Sequence, residues 1–265
     1  MIRIKRFINA LLVDLKRMLL SLWFLIGVVG LVLILIWGAW EDLLHSQSDI
    51  LYFFHVAKSG SLWILTVMLC ALPSATQFCI DWENRYFRML SVRSGHTAYF
   101  VSKICGTVIS SVCVCTLGVF LYILVLSFRF PLFSRGSGFD SLMSGSPVFG
   151  AYIAQGKIGV YLAAVILVTA LCGAAFSLAA QWMSALIPNS FIAVSVPLLF
   201  YYFVVNLGAI LNLPYFLQIG KLQSLRFYFI SPEATIGFSL LFFTLLILIF
   251  GALFMKYGKR RVLNG

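Results

Sequence analysis

Apolar residues occur along this chain in long runs that polar segments interrupt, and six of these runs have the length of a membrane-spanning helix. A helix rises about 1.5 Å per residue, so about 20 apolar residues cross a hydrocarbon core of about 30 Å. The sequence therefore predicts an all-α polytopic membrane protein that forms a single transmembrane domain over residues 1–265. The six predicted spans cover residues 22–40, 61–80, 104–128, 159–185, 191–211 and 234–255.

Residues 1–20 have a different pattern, because their apolar side chains recur at helical spacing within roughly 140° of arc. The basic residues of this segment lie on the other side of the projected helix: Arg3, Lys5, Arg6, Lys16 and Arg17. This pattern predicts an amphipathic helix in the membrane interface. The alternative is that residues 1–20 simply extend the first span.

Prolines and charge-free stretches predict where the chain bends and turns. Pro73 lies inside the second span, where a proline usually kinks a membrane helix without ending it. From Ile158 to Gly220 no side chain is charged, and this stretch is far too long for one helix. The chain must therefore fold back, and Pro188 and Asn189 predict the turn, which the number of spans assigns to the cytoplasmic side. The segment 214–232 is predicted to be an outer loop.

The composition indicates that lipid is the solvent of this chain. Hydrophobic residues make up 62% of it and charged residues 10%, whereas a water-soluble domain has about 25% charged residues. The net charge of +11 does not indicate nucleic-acid binding, because the basic residues lie beside the spans. Five Lys and Arg residues precede the first span, four lie in the segment 81–103 and four follow the last span, against six in the outer loops. The positive-inside rule then predicts that both termini are cytoplasmic.

Catalytic and metal-binding patterns are not found in the sequence. His45, His55 and His96 all lie in predicted loops, no ionisable residue lies in mid-span, and the motifs HExxH and GxxxxGK[ST] do not occur. We therefore expect no enzyme activity, no metal site and no P-loop. An ion-coupled transporter is disfavoured, since such a protein usually buries a carboxylate. The six cysteines lie in or beside apolar runs, so no disulfide is expected.

A few polar side chains lie within otherwise apolar helices, where an unpaired polar group is costly. They are expected either to line an aromatic cavity suited to an amphipathic or lipid-like cargo, or to form hydrogen bonds between helices. These residues are Thr169, Gln181, Tyr201, Tyr202 and Asn206.

The segment from Asp81 to Lys103 is charged and lies between two apolar runs. Its part from Glu83 to Arg93 predicts a short amphipathic helix. Such a helix either lies on lipid headgroups or docks onto another protein. Its apolar side is formed by Phe87, Met89 and Leu90, and its basic side by Arg85, Arg88 and Arg93.

This segment resembles the coupling helix of the type-2 family of ABC exporter permeases. The resemblance rests on a Glu at the end of the second span, a Leu-rich turn with Ser and Arg, and an aromatic residue followed by Ser-Lys. These residues are Glu83, Leu90, Ser91, Arg93, Tyr99, Ser102 and Lys103. The family often has a Gly three or four residues after the Glu, whereas Phe87 and its neighbours stand here.

The resemblance implies a permease subunit of an ATP-driven exporter in a bacterial cytoplasmic membrane. Its partners would be a second permease copy or a homologous permease, and a separate nucleotide-binding ATPase that binds ATP and Mg, while this chain binds no cofactor. The resemblance also implies short re-entrant helices within 214–232. The alternative is a regulatory or scaffolding membrane protein that docks a cytosolic partner without transport. The residues implied to contact the ATPase are Glu83, Arg85, Phe87, Arg88, Leu90 and Arg93.

Overall fold

Long helices form nearly the whole of this protein, as the hydrophobic pattern predicts. Every regular element in the described residues is helical, which confirms the all-α class. Among these residues, five helices are long and apolar enough to cross a membrane, and six when the two N-terminal helices count as one span. The computed structural model describes residues 2–45, 48–86, 95–134, 147–225, 227 and 229–264.

The chain contains both long and short helices, and a 3-10 turn, Ser61–Ile64, begins the second span. The helices are α1 (Ile2–Leu19), α2 (Leu22–Gly38), α3 (Trp40–His45), α4 (Ile50–Ser59), α5 (Leu65–Ala75), α6 (Gln77–Glu83), α7 (His96–Ser127), α8 (Pro147–Ala154), α9 (Ile158–Leu186), α10 (Ser190–Ile210), α11 (Ile219–Ser224) and α12 (Pro232–Asn264).

Both ends of the described chain lie at the same end of the helix bundle, which we name the terminal end. There, Arg261 of α12 donates a hydrogen bond to the carbonyl of Ala185 in α9, and Arg17 of α1 contacts Asp81 of α6. The opposite end carries α3, α4, α8 and α11, and there Tyr161 near the start of α9 contacts α4. The long helices run between these two ends.

The helix α1 meets α2 at a bend of 54°, so it is not a straight extension of the first span. Ser21 forms the bend: its hydroxyl donates to the carbonyl of Met18 at 2.7 Å and accepts from the Phe24 N–H at 3.1 Å. Beyond the bend, α1 packs along α7. Gly106 of α7 allows this approach, because a Cβ there would lie 3.3 Å from the sulfur of Met18.

The second span covers residues 61–83 and is formed by the 3-10 turn, α5 and α6. Pro73 lies within α5, and the helix breaks at Thr76 before α6 continues in the same span. The central helix of the bundle is α9, whose buried small residues let neighbouring helices pack closely. One example is Gly173, where a Cβ would lie 3.0 Å from the Cys70 side chain of α5.

The predicted outer loop between the first two spans is helical, which corrects the expectation. Asp49 begins α4 by accepting a hydrogen bond from the Tyr52 N–H at 2.8 Å. The aromatic side chains Phe53 and Phe54 of α4 are buried in the main core. His55, which was expected in a loop, is buried on the same helix. The sequence pattern was misleading because the acidic residues before this helix and Lys58 near its end suggested solvent, while the apolar residues between them fill the end of the bundle.

The segment between the last two spans is not a plain loop. Its helix α11 folds back against the bundle, where Ile219 and Leu222 are buried. Tyr201 of α10 donates a hydrogen bond of 2.6 Å to the side-chain oxygen of Gln223. This polar pair and the two apolar anchors attach α11 to the long helices.

Candidate functional site

Four charged side chains from three parts of the chain meet at the terminal end. Lys103 of α7 lies 2.8 Å from a carboxylate oxygen of Asp81 in α6 and 2.9 Å from a carboxylate oxygen of Asp14 in α1. Arg17 of α1 lies 3.0 Å from the other carboxylate oxygen of Asp81. We name Asp14, Arg17, Asp81 and Lys103 the charge cluster. It contains two positive and two negative charges and is therefore balanced.

The charge cluster is buried. Asp81 and Lys103 are fully shielded from solvent, Asp14 is 5% exposed, and only the Arg17 side chain, at 33%, reaches the surface. Burying a charge is costly unless it is paired and hydrogen-bonded. Both carboxylates meet this requirement with neutral donors as well, because Tyr99 donates to Asp81 at 2.9 Å and Ser102 donates to Asp14 at 2.7 Å.

This arrangement corrects two expectations. Asp81 and Lys103 were predicted as the ends of a surface segment, but they lie within α6 and α7 and face the protein. The expectation that the chain buries no carboxylate is wrong for Asp14 and Asp81, since pairing across long sequence separations offsets their desolvation. An ion-coupled transporter is therefore no longer disfavoured on that ground.

Aromatic side chains pack directly beside the charge cluster. Phe254 of α12 meets Phe78 of α6 and Phe100 of α7 edge to face, with ring centroids 5.6 and 5.4 Å apart. The α12 backbone at Gly258 contacts the Phe100 ring so closely that a Cβ there would clash with it. The ends of α6, α7 and α12 are therefore interlocked around the cluster.

The connection between α6 and α7 begins two residues after Asp81, at the exposed Glu83. Glu83 ends α6 and is exposed, and Arg85 adopts a left-handed conformation with φ 57°. The predicted amphipathic helix therefore does not begin at Glu83, because the chain turns at Asn84 and Arg85. The exposed Tyr86 is the last described residue before Gly95. The other predicted contact residues, Phe87, Arg88, Leu90 and Arg93, lie outside the described residues.

The turn predicted at Pro188 and Asn189 lies at the terminal end, beside the same connection. The Asn189 side chain begins α10 by accepting hydrogen bonds from the N–H groups of Phe191 at 2.9 Å and Ile192 at 3.4 Å. Arg261 joins the two regions. Its guanidinium donates to the carbonyls of Ala185 and Leu186 just before the turn and lies 4.9 Å from the ring centroid of Trp82, next to the connection.

The polar residues predicted within the spans occupy separate places. Gln181 is buried and its amide donates to the Ser74 carbonyl of α5 at 3.3 Å. Tyr201 is buried and bonds α11, as described above. Thr169 is buried, and its hydroxyl has no hydrogen-bond partner within the described chain. Helix-to-helix hydrogen bonds thus account for Gln181 and Tyr201.

Tyr202 and Asn206 lie towards the outside of α10. Tyr202 is 58% exposed, and the Asn206 amide donates to the Tyr202 carbonyl at 2.8 Å. The structure therefore does not bring the five polar residues together.

An apolar cavity of about 400 Å³ lies between α9 and α10. None of the five polar residues lines it. Aromatic and aliphatic side chains form its wall, and Trp182 there stacks on Phe250 of α12, with ring centroids 6.1 Å apart. The lining residues are Ala179, Trp182, Met183, Val196, Leu199, Phe200 and Phe203.

Sequence reasoning missed Asp14 and Arg261 and misplaced Lys103. A signal for two of them is visible in retrospect. Asp14 is the only acid among the first forty residues, and it follows Leu11 by three positions and precedes Met18 by four, on the packing side of α1. Lys103 is the only charged residue between positions 97 and 128. A lone acid on the packing side of one helix and a lone base in an apolar helix are candidates for pairing.

Comparisons with known proteins give no family: no family model matches the chain, and no curated protein and no solved structure matches it. Within the described residues, no group of three or more His, Cys, Asp or Glu side chains is placed to hold a metal ion. Fold and site together define the class of the protein, a polytopic helical membrane protein with a buried charge cluster at the end of the bundle that carries both chain ends.

Proposed function

We propose that this chain is the permease subunit of an ATP-driven ABC exporter, coupled to a separate ATPase through the connection between α6 and α7. The observation that carries the proposal is the pair of Asp81 and Lys103, which joins the two ends of this connection inside the bundle. A segment whose two ends are fixed to each other moves as one body with the helices that hold it. Such a segment is suited to receive force from a partner.

The route from the connection into the bundle follows contacts already described. Lys103 and Arg17 transmit a displacement of α6 and α7 to α1. Phe254 transmits it to α12, and Arg261 extends it to the α9–α10 turn. Five of the long helices would thus respond to the position of this connection, as a pump driven from outside the membrane requires.

Orientation, partners and cargo complete the proposal. The excess of Lys and Arg at the terminal end supports a cytoplasmic location for that end in a bacterial plasma membrane. The apolar cavity beside α10, together with the exposed side chains of Phe191, Leu199 and Phe203, supports contact with lipid or with a second permease copy. An amphipathic or lipid-like cargo fits these apolar walls better than a sugar or an inorganic ion.

Two other functions, scaffolding and proton-coupled transport, differ from ATP-driven export in the energy that they use. A scaffolding protein would bind a cytosolic partner without ATP-dependent transport. A proton-coupled carrier gains support from the buried carboxylates of Asp14 and Asp81, but both are held in ion pairs by Lys103. Transport that continues after a protonophore collapses the proton gradient, and stops with vanadate, excludes the carrier.

The partner can be tested by affinity purification of the full chain from its native membranes. We expect a P-loop ATPase with vanadate-sensitive activity to co-purify. Changing Phe87 and Leu90 to Ala is expected to abolish this association, since truncating a central interface anchor costs on the order of 2 kcal/mol or more.

A matched control is the double change of Ile8 and Leu12 to Ala, which removes exposed apolar side chains of α1. This control should retain the ATPase. Wild-type preparations without an ATPase would reject the exporter. An ATPase that stays bound to the Phe87 and Leu90 variant would reject the connection as its docking site.

A further inference from the structure

The apolar cavity of about 400 Å³ between α9 and α10 lies in the part of the bundle that crosses the membrane. Both helices are long and apolar enough to be spans. Two residues of the cavity wall, Val196 and Phe203, lie about 9 Å and about 20 Å along α10 from Ser190, where the helix begins at the terminal end. Each leaflet contributes half of a hydrocarbon core of about 30 Å. The cavity therefore lies at the depth of the acyl chains of one leaflet.

The wall of this cavity suits a hydrocarbon chain, because it exposes no polar atom. Leu199 and Phe203 line the cavity yet are 63% and 59% exposed, so the cavity is open to the outside of the bundle. Trp182 is held in the wall by two rings of α12, with its centroid 6.1 Å from that of Phe250 and 6.4 Å from that of Tyr257. A chain from the bilayer can therefore enter from the side.

The cavity lies beside one particular side of α12. The helix α9 contacts α12, α7, α5 and α10, and these follow one another around it, because α12 contacts α7, α7 contacts α5 and α5 contacts α10. Phe200 of α10 closes this ring against Phe250 of α12, with centroids 5.9 Å apart. The helices α7 and α10 thus lie on opposite sides of α12. The side of α12 that faces away from α7 is the side nearest the cavity.

Two basic residues lie on that side of α12, near the terminal end. Phe254 and Gly258 contact α7, and Tyr257 contacts the cavity wall. At about 100° per residue, Lys256 and Arg260 project on the other side of Tyr257 from Phe254 and Gly258. Both are exposed, and neither forms a salt bridge within the described part of the chain. Their charges therefore face the headgroup region above the cavity.

We propose that this site binds an anionic phospholipid, with one acyl chain in the apolar cavity and the phosphate at Lys256 and Arg260. Charge-assisted hydrogen bonds from ammonium and guanidinium groups bind phosphate well. Trp182 and Tyr257 lie between the two parts of the site, where aromatic rings favour the membrane interface. A second copy of this chain fits less well, since a symmetric pair would bring like charges together. The site needs no ATPase, so it stands independently of the proposed export function.

The headgroup is tested with the full-length protein in nanodiscs of mixed phosphatidylglycerol and phosphatidylcholine. Native mass spectrometry measures which lipid the protein retains when it leaves the disc. The double variant Lys256→Gln and Arg260→Gln removes the proposed phosphate contacts. The matched control is the double variant Lys16→Gln and Lys259→Gln, which removes the same charge at the same end. Lys16 is exposed on α1, and Lys259 donates to Thr97 of α7 at 3.4 Å.

The acyl chain is tested by tryptophan fluorescence. Phosphatidylglycerol with brominated chains quenches tryptophan on contact, and brominated phosphatidylcholine at the same fraction is the comparison. The part of the quenching that Trp182→Phe removes belongs to Trp182. Val196→Phe places a larger side chain in the cavity and should exclude the lipid chain.

The wild type and the control should retain phosphatidylglycerol in preference to phosphatidylcholine. A basic residue near an anionic headgroup contributes about fivefold to binding, so Lys256→Gln and Arg260→Gln together should reduce the preference about 25-fold. Val196→Phe should lose the quenching of Trp182. Because Lys256 and Arg260 are exposed, their variant should fold even if Val196→Phe does not.

Three results would overturn the inference. The first is equal retention of the two lipids by the wild type, or equal behaviour of the two double variants. The second is quenching of Trp182 that is unchanged in a folded Val196→Phe variant. The third is a dimer that Val196→Phe dissociates, which would assign the cavity to a second copy of the chain.

Discussion

The two ends of the bundle use lysine in different ways. At the terminal end, Lys103 is completely buried and lies between two carboxylates. At the opposite end, Lys58 and Lys221 rest against aromatic rings and line an open cavity. Ion pairs with carboxylates of two other helices fix the position of the Lys103 ammonium group and link the three helices. At the opposite end, the lysine charges lie against aromatic rings instead.

The difference follows from the cost of dehydration. A buried ion pair is stable only when its geometry is good and additional hydrogen bonds are present. Removing one partner leaves the other charge buried and unpaired. The charge cluster is therefore expected to have one arrangement, which suits a rigid connection. At the opposite end, Lys221 is exposed and keeps its contact with solvent, so its charge does not carry this cost.

The largest effect is expected for Lys103→Met, which leaves Asp14 and Asp81 buried without their shared cation. Breaking a buried ion pair destabilises a protein by about 3–5 kcal/mol. Thermal unfolding in detergent measures the loss, and Lys16→Met, at an exposed lysine of α1, is the control. Equal unfolding temperatures of the two variants would mean that the charge cluster does not stabilise the contacts between α1, α6 and α7.

Neutralising the three buried members of the cluster should restore stability. In the triple variant Asp14→Asn, Asp81→Asn and Lys103→Met only Arg17 keeps a charge, and its side chain is one third exposed; replacing buried ion pairs together is often nearly neutral. We expect an unfolding temperature close to that of the wild type. A triple variant as unstable as Lys103→Met would show that volume, not charge, determines the effect.

At the opposite end, packing and not charge should dominate. A Cβ at Gly38 of α2 would lie 3.0 Å from the Cα of Ala57 in α4, so Gly38→Leu forces the two helices apart. Such overpacking costs about 1–3 kcal/mol. Gly150→Leu is the matched control, because a Cβ there meets nothing within 4 Å. A wild-type unfolding temperature for Gly38→Leu would contradict the packing of α4 against α2.

A smaller effect is expected for Arg17→Gln. Arg17 is one third exposed, and Asp81 keeps Lys103 and Tyr99 as partners when it is lost. The expected loss is about 1 kcal/mol, as for a largely solvated ion pair. Chemical denaturation at low and high salt measures it, and salt should reduce the wild-type advantage. A loss as large as that of Lys103→Met would place Arg17 among the buried partners.

The smallest effect is expected for Tyr52→Phe. Burial, followed by the hydrogen bond to Asp42 and its charge, raises the pKa of Tyr52 above its ordinary value of 10.0. The folded state therefore holds the phenol proton more tightly than the unfolded state does. The stabilisation from the Tyr52–Asp42 hydrogen bond is fully present below the ordinary pKa and is lost as the pH rises through the pKa of the folded state. The variant should lose about 0.5 kcal/mol at pH 8 and should converge with the wild type in alkaline unfolding curves. A difference in stability that stays constant at all pH values would exclude the hydrogen bond of the protonated phenol as its cause.

The hydrophobic pattern was sufficient to predict the long helices, because spans of lipid-exposed residues require little beyond length and polarity. Pro188 and Asn189 correctly indicated where the longest charge-free stretch folds back. The helix α4 was missed, since Phe53 and Phe54 lie between charged residues in a segment too short to span a membrane. Its helical fold depends on packing against α2 and α7, which sequence pattern does not report.

The charge cluster could be predicted only in part. Asp14 stands out as the lone acid of α1 and Lys103 as the lone charge of an apolar helix, but Arg17 lies 64 positions from Asp81, and Ser102 lies 88 positions from Asp14. Their pairing depends on the 54° bend at Ser21, which directs α1 along α7. No local pattern encodes that approach, so the most informative residues of the site became visible only in three dimensions.

The central claim is that the charge cluster joins the connection between α6 and α7 to the helices. It is tested most directly by ATP hydrolysis of the purified complex in nanodiscs, compared with that of the ATPase alone. For the triple variant Asp14→Asn, Asp81→Asn and Lys103→Met, the account predicts a folded permease that binds the ATPase at the wild-type level but no longer stimulates its hydrolysis. Stimulation equal to that of the wild type, with the ATPase bound, would contradict the claim.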